Sequence, residues 1–168
     1  GNFIPLLTDN GMAPQQAAAL FGLIGISIIV GRVAIGFLID RFWAPGISAI
    51  ACALPVVTCL ILADPTPTVT GAAIAAICAG LAAGAEFDLI AFLAAKYFGL
   101  KHYGKLYGYL FLALMVGAGV AAPIAGTAYD LTGSYGPVLY GAAVICLAGS
   151  LSLLSLGRYP QFAGASTP

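Results

Sequence analysis

The sequence predicts an all-α fold, a polytopic bundle of membrane-crossing helices, and three observations carry that expectation. Of 168 residues, 61% are hydrophobic and 7% charged, against about 25% charged in ordinary soluble domains. The apolar residues gather into five runs, each near the length of about 20 residues that a helix needs to cross a bilayer core. Between the runs stand short segments rich in glycine, proline and polar turn residues. Runs this long exceed any ordinary strand, and a helix satisfies its own backbone polar groups in lipid.

The first span covers about 15–40 and closes on "GRVAIGFLIDRF", followed by the turn "RFWAPG". The second covers about 46–63, contains Pro55, and ends at "DPTPT". The third runs over about 69–95 and leads into the aromatic and basic loop "KYFGLKHYGK". The fourth, about 106–129 with Pro123 inside, ends at "YDLTGSYGP", and the fifth covers about 136–157. Neighbouring helices, side chains or waters can satisfy the carbonyl that a proline frees within a span, so Pro55 and Pro123 are read as tolerated kinks.

Basic residues set the orientation. Arg41, Lys96, Lys101, Lys105 and Arg158 fall at one end of the spans, together with His102, and Arg32 lies toward that same end of the first span. The opposite segments hold Asp9, Asp64 and Asp130 with no lysine or arginine. The positive-inside rule then places the basic end and the C-terminus in the cytoplasm, with the chain in the cell's inner membrane. Five spans before a cytoplasmic C-terminus put the N-terminal segment "GNFIPLLTDNGMAPQQ" outside, yet it starts with Gly and lacks the charged and apolar regions of a signal peptide. The expectation is a piece of a longer chain, with residues 1–7 the outer end of a preceding helix.

Charges within apolar runs are the candidate functional residues. Asp40 and Arg41 leave the first span together, and position alone suits a snorkelling pair anchored at the interface. Arg32 stands nine residues earlier, about 13 Å deeper along a helix. At that depth a guanidinium must face a polar cavity or a partner. Glu86 and Asp88 are the partner candidates, since Glu86 precedes Lys96 by ten residues and so lies at a depth near that of Arg32. Two residues apart on a helix is a rotation of about 200°, so one acid can face a central cavity while the other meets a neighbouring helix. An unpaired carboxyl there suits proton uptake and release, and a fixed bridge to Arg32 that only holds helices is the competing reading.

Several classes find no support in the sequence. The net charge is zero, so no field points to nucleic acid or an acidic partner, and the tyrosines and lysines after the third span read as an interfacial belt. Cys52, Cys59, Cys78 and Cys146 lack the close spacings of metal sites and read as small buried hydrophobes. His102 stands alone and reads as a solvated loop residue. No phosphate-cradling loop, nucleophile triad or cofactor motif is present, so no enzyme and no cofactor is expected. Gly80 and Gly84, Gly104 and Gly108, and Gly117, Gly119 and Gly126 read as small residues that let helix backbones approach.

The stretch "GRVAIGFLIDRF" resembles the G-x-L-x-D-R signature of the major facilitator superfamily, with Gly36, Leu38, Asp40 and Arg41 at the matching positions. Its Gly-Arg-Lys continuation is replaced by "FWAPG", which is similar to the weaker second copy between the eighth and ninth helices of that family. "GAEFDLIAFLAAKYFGLKHYGKLYG" and "GAGVAAPIAGTAYDLTGSYGP" resemble the tenth and eleventh helices of bacterial members similar to monocarboxylate and oxalate/formate transporters. The resemblance covers nearly the whole chain. It implies the C-terminal six-helix half of a twelve-helix transporter, with five spans complete and the N-terminal half missing, and a substrate site at the midplane between halves.

The resemblance also assigns roles. Arg32 matches the eighth-helix arginine that contacts the substrate carboxylate, for which a guanidinium fork is well shaped. Ile28 stands where those members carry an acid one turn earlier, and no lysine stands in 106–129 where oxalate exchangers place one. Proton coupling then falls to Glu86, Asp88 or the missing half, and Gly36, Asp40 and Arg41 belong to an inward-side gate. The function expected is secondary active transport of a small organic anion, a monocarboxylate, with protons. The alternatives are a transporter of another solute in which Arg32 sits in a structural ion pair, and a non-transporting membrane bundle.

Overall fold

Five long helices succeed one another among the described residues of the computed structural model, which are residues 8, 13–64, 68–157 and 159. They are α1 (Pro14–Arg41), α2 (Ala44–Leu62), α3 (Val69–Phe98), α4 (Tyr103–Thr132) and α5 (Gly136–Leu154). All five are long and apolar enough to cross a membrane. The connections are short, so consecutive helices run in opposite directions, and Arg41, Lys96, Lys101 and Lys105 collect at one end of the bundle. The expectation for residues 1–7, and those for Asp9 and Arg158, lie outside the described residues.

Local chemistry explains the helix ends. Pro14, Pro45 and Pro137 occupy the first turns of α1, α2 and α5, where a missing N–H costs nothing because those groups have no intrahelical partner. Thr68 caps α3 by accepting a hydrogen bond from the Gly71 N–H at 3.1 Å. Gly99 and Gly133 close α3 and α4 at φ of 73° and 68°, a backbone region that side chains with a Cβ rarely enter. Pro55 and Pro123 lie inside α2 and α4, and both helices run on through them.

The bundle is organised around α3. It packs extensively against α1 on one side and α2 on another, while α2 also packs on α5. One buried cluster, Ala17, Leu20, Leu62, Ala72 and Ala75, joins α1, α2 and α3 near the end opposite the lysines. A second, Ile35, Ala51, Ala85 and Leu89, joins the same helices nearer the basic end. The small side chains at these positions let backbones come close, which is how helices associate where lipid offers no hydrophobic contrast. Two hydroxyls stitch helices together: Thr58 donates to the Ala75 carbonyl at 3.1 Å, and Ser150 to the Ala49 carbonyl at 2.7 Å.

α4 is the exception. It touches α3 and α5 sparingly and has no buried residue. The sequence assigned its glycines to helix packing, but a Cβ at Gly104, Gly108, Gly117, Gly119 or Gly126 would meet no atom within 4 Å. Within the described residues no neighbouring helix makes use of the close approach that these glycines permit. At the basic end the segment after α5 folds back, with the Tyr97 hydroxyl donating to the Gly157 carbonyl at 2.8 Å and the Ala44 N–H donating to the Tyr159 hydroxyl at 2.9 Å.

Candidate functional site

The site begins with a stripe of small residues. Gly80, Gly84 and Asp88 stand four residues apart on α3 and therefore share one face. On α1 the facing row is Ile24, Ile28 and Arg32, again at steps of four. The two rows meet with little but backbone between them, the Ser27 side chain intruding beside Gly80. A Cβ on Gly80 would lie 2.6 Å from the Ile24 carbonyl oxygen, and one on Gly84 would collide with the Ile28 carbonyl oxygen and come within 3.0 Å of the Arg32 backbone nitrogen. Gly31 repeats the arrangement from the α1 side, where a Cβ would lie 2.7 Å from the Leu81 carbonyl oxygen.

This contact fixes the rotation of both helices, and the rotation decides which acid meets Arg32. Continuing each row by one step brings the Arg32 guanidinium to the Asp88 carboxylate, Nε to Oδ2 at 3.6 Å. The separation is longer than an ordinary charge-assisted hydrogen bond, and the contact runs through Nε. The forked end of the guanidinium therefore remains available. Both side chains are about half exposed, 56% and 40%, among the exposed apolar side chains of the membrane-spanning helices. In a membrane such a pair must face a polar cavity or another part of the protein.

Glu86 lies on the far side of α3. It borders a cavity of about 500 Å³ between α2, α3 and α5, whose wall also includes Cys52, Cys59 and Cys146. All four cysteines are free and half-buried, rather than the buried packing residues the sequence suggested. Cys52 and Cys59 share a face of α2 by their spacing of seven, which the sequence could have disclosed. That Cys146 of α5 faces them depended on tertiary packing. Among the described residues no group of three His, Cys, Asp or Glu could hold a metal ion.

The remaining expected residues lie at the basic end. Arg41 is the last residue of α1, where its charge complements the helix dipole. Asp40 and Arg41 are exposed and form no ion pair among the described residues. Gly36 faces open space, and a Cβ there would meet no atom within 4 Å. His102 is the exposed residue preceding α4.

With the helices and the charged pair placed, comparison with known proteins settles the family. The family model of the Major Facilitator Superfamily matches residues 1–167. The chain belongs to this superfamily, and it is a multi-pass membrane protein. Monocarboxylate transporter 13 of Bos taurus is 32% identical over all of this chain and 40% of its own length. The MFS transporter asaE of Aspergillus flavus is 28% identical over 92% of this chain and 37% of its own. Monocarboxylate transporter 12 of Xenopus laevis is 28% identical over 79% of this chain and 29% of its own. The chain thus spans well under half the length of the curated relatives it matches. No solved structure matches it.

Proposed function

We propose that this chain is the C-terminal half of a secondary active transporter that carries a small monocarboxylate with protons across the cell's inner membrane, its basic end in the cytoplasm. The observation that carries the reading is the Arg32–Asp88 pair: a guanidinium held at mid-helix by an acid that engages Nε and leaves the fork free. A substrate carboxylate approaching that fork makes two parallel N–H···O bonds. Asp88, beside the fork, and Glu86, on the opposite face of α3, are the acids to which proton coupling is assigned. The names of the monocarboxylate transporters among the relatives favour the same substrate class.

Gly36, Asp40 and Arg41 are the gate in this reading. Their position at the basic end of α1 puts them where the two halves of such a transporter would meet as access alternates. No step calls for a cofactor, and the protein is a transporter rather than an enzyme.

The test is uptake of labelled pyruvate by the complete protein in proteoliposomes. Arg32→Ala abolishes uptake while the protein remains in the membrane at its normal level. Undiminished uptake would reduce the pair to a fixed bridge between α1 and α3, and another solute would have to be sought.

A further inference from the structure

The cavity beside Glu86 differs from two other hollows of the bundle. One of those, of about 500 Å³, is lined around Phe42, Trp43 and Ile50, and the other, of about 310 Å³, around Ile35, Ile47 and Leu81. Neither has an ionisable side chain in its wall. The Glu86 cavity, of about 500 Å³, has one carboxylate, three thiols and otherwise apolar or small residues. Ala79, Ala82, Ala83 and Gly149 make the room, because short side chains leave space where α2, α3 and α5 diverge.

Its polar chemistry is unbalanced. Among the described residues no lysine, arginine or histidine lines it. The hydroxyls in its wall are already committed, Ser48 to the Ala44 carbonyl and Thr58 to the Ala75 carbonyl. Glu86 lies twelve residues before the end of α3 at Phe98, about 18 Å along the helix, well inside a hydrocarbon core of about 30 Å. A carboxylate at that depth is costly without a cation beside it. The volume is that of a site for an organic molecule with an apolar body, and the thiols and carboxylate do not form a cluster that could hold a metal ion.

We propose that this cavity binds a free lipophilic ammonium ion, a primary to tertiary amine with apolar arms, which donates its N–H to the Glu86 carboxylate and rests its arms against Ile90, Leu93 and Leu153. The charge rule is the reverse of that on the other face of α3: Arg32 attracts an anion, whereas Glu86 repels one and selects a cation. An ethanolamine lipid offers the same ammonium group, but its headgroup rests at the interface, about 18 Å of helix away. The proposal does not depend on which solute the protein transports.

The cavity carries its own reporters. In the complete protein in phosphatidylcholine nanodiscs, the rate of N-ethylmaleimide labelling is followed by mass spectrometry at Cys52 and Cys146, with Cys78, which lies outside the cavity wall, as the internal reference. Dibenzylamine is expected to slow labelling of both cavity thiols at least fivefold relative to Cys78. Dibenzyl ether, of the same shape and uncharged, is expected to leave the rates within twofold. Glu86→Gln abolishes the protection by the amine. Equal protection by the ether would make the cavity a plain apolar hollow and overturn the proposal. So would cavity thiols that stay unreactive without ligand while Cys78 reacts, or protection produced by ethanolamine lipid alone. The amine and ether pair decides the matter in the unaltered protein even if Glu86→Gln fails to fold.

Discussion

Arg32 and Asp88 meet through one long contact, and the geometry of that contact separates charge from shape. A lysine at position 32 keeps the charge but loses the fork. If the fork holds a carboxylate, Arg32→Lys removes one charge-assisted hydrogen bond of about 1.5–3 kcal/mol, which weakens substrate affinity about tenfold to a hundredfold. The check is a saturation curve for pyruvate uptake in which the half-saturating concentration rises by that factor. Asp88→Asn keeps the size of the side chain and removes its proton chemistry. Uptake by the unaltered protein is expected to rise as the external pH falls, and in the Asn variant to become nearly independent of pH. A profile with unchanged steepness would remove Asp88 from coupling. The sequence placed Arg32, Glu86 and Asp88 at similar depths but left both acids in play. Which of them meets Arg32 was written in the steps of four through Gly80, Gly84 and Asp88, and it became readable only once the glycines were known to face α1.

The helices themselves were the most legible feature, because the length of an apolar run and the chemistry of its ends are local properties. Pro14, Thr68, Gly99 and Gly133 act on their own turns, and each marks a boundary without reference to the rest of the chain. What the runs could not disclose was which glycines touch anything. Gly80 and Gly84 of α3 press on α1, while the glycines within α4 face open space, although both sets look alike in the sequence. The difference predicts a ranking of stabilities. Gly84→Ala forces a methyl against the Ile28 carbonyl, an overpacking cost of about 1–3 kcal/mol. Thr58→Val loses a hydrogen bond to the Ala75 carbonyl, for which interhelical bonds in membranes average about 0.6 kcal/mol. Denaturation of the detergent-solubilised protein should therefore show the alanine variant less stable than the valine variant, and the reverse order would deny the close contact between α1 and α3.

Taken as a whole, the molecule turns two different faces outward from α3. One presents the Arg32–Asp88 pair and the other the Glu86 cavity, while the lysines gather at one end. That asymmetry of charge sets the expected orientation in the membrane. On sealed cells, a membrane-impermeant maleimide should label Ser134→Cys directly and Lys101→Cys only after permeabilisation, because the two positions lie at opposite ends of α4. The opposite pattern would invert the topology. Composition made the membrane readable, since it depends on sums over many residues, and the placing of the basic residues gave the orientation that this labelling tests. The two-faced character of α3 was not readable in that way, because it depends on how three other helices settle around one.

The backbone contact along α1 and α3 has a mechanical consequence. At Gly31 and Gly84 the helices meet main chain to main chain, and at Gly80 the Ser27 side chain shares the contact, so a side chain added at any of the three would have to push the helices apart. This close seam lies one helical turn from the Arg32–Asp88 pair, so widening it, as Gly84→Ala would, also draws the two charges apart.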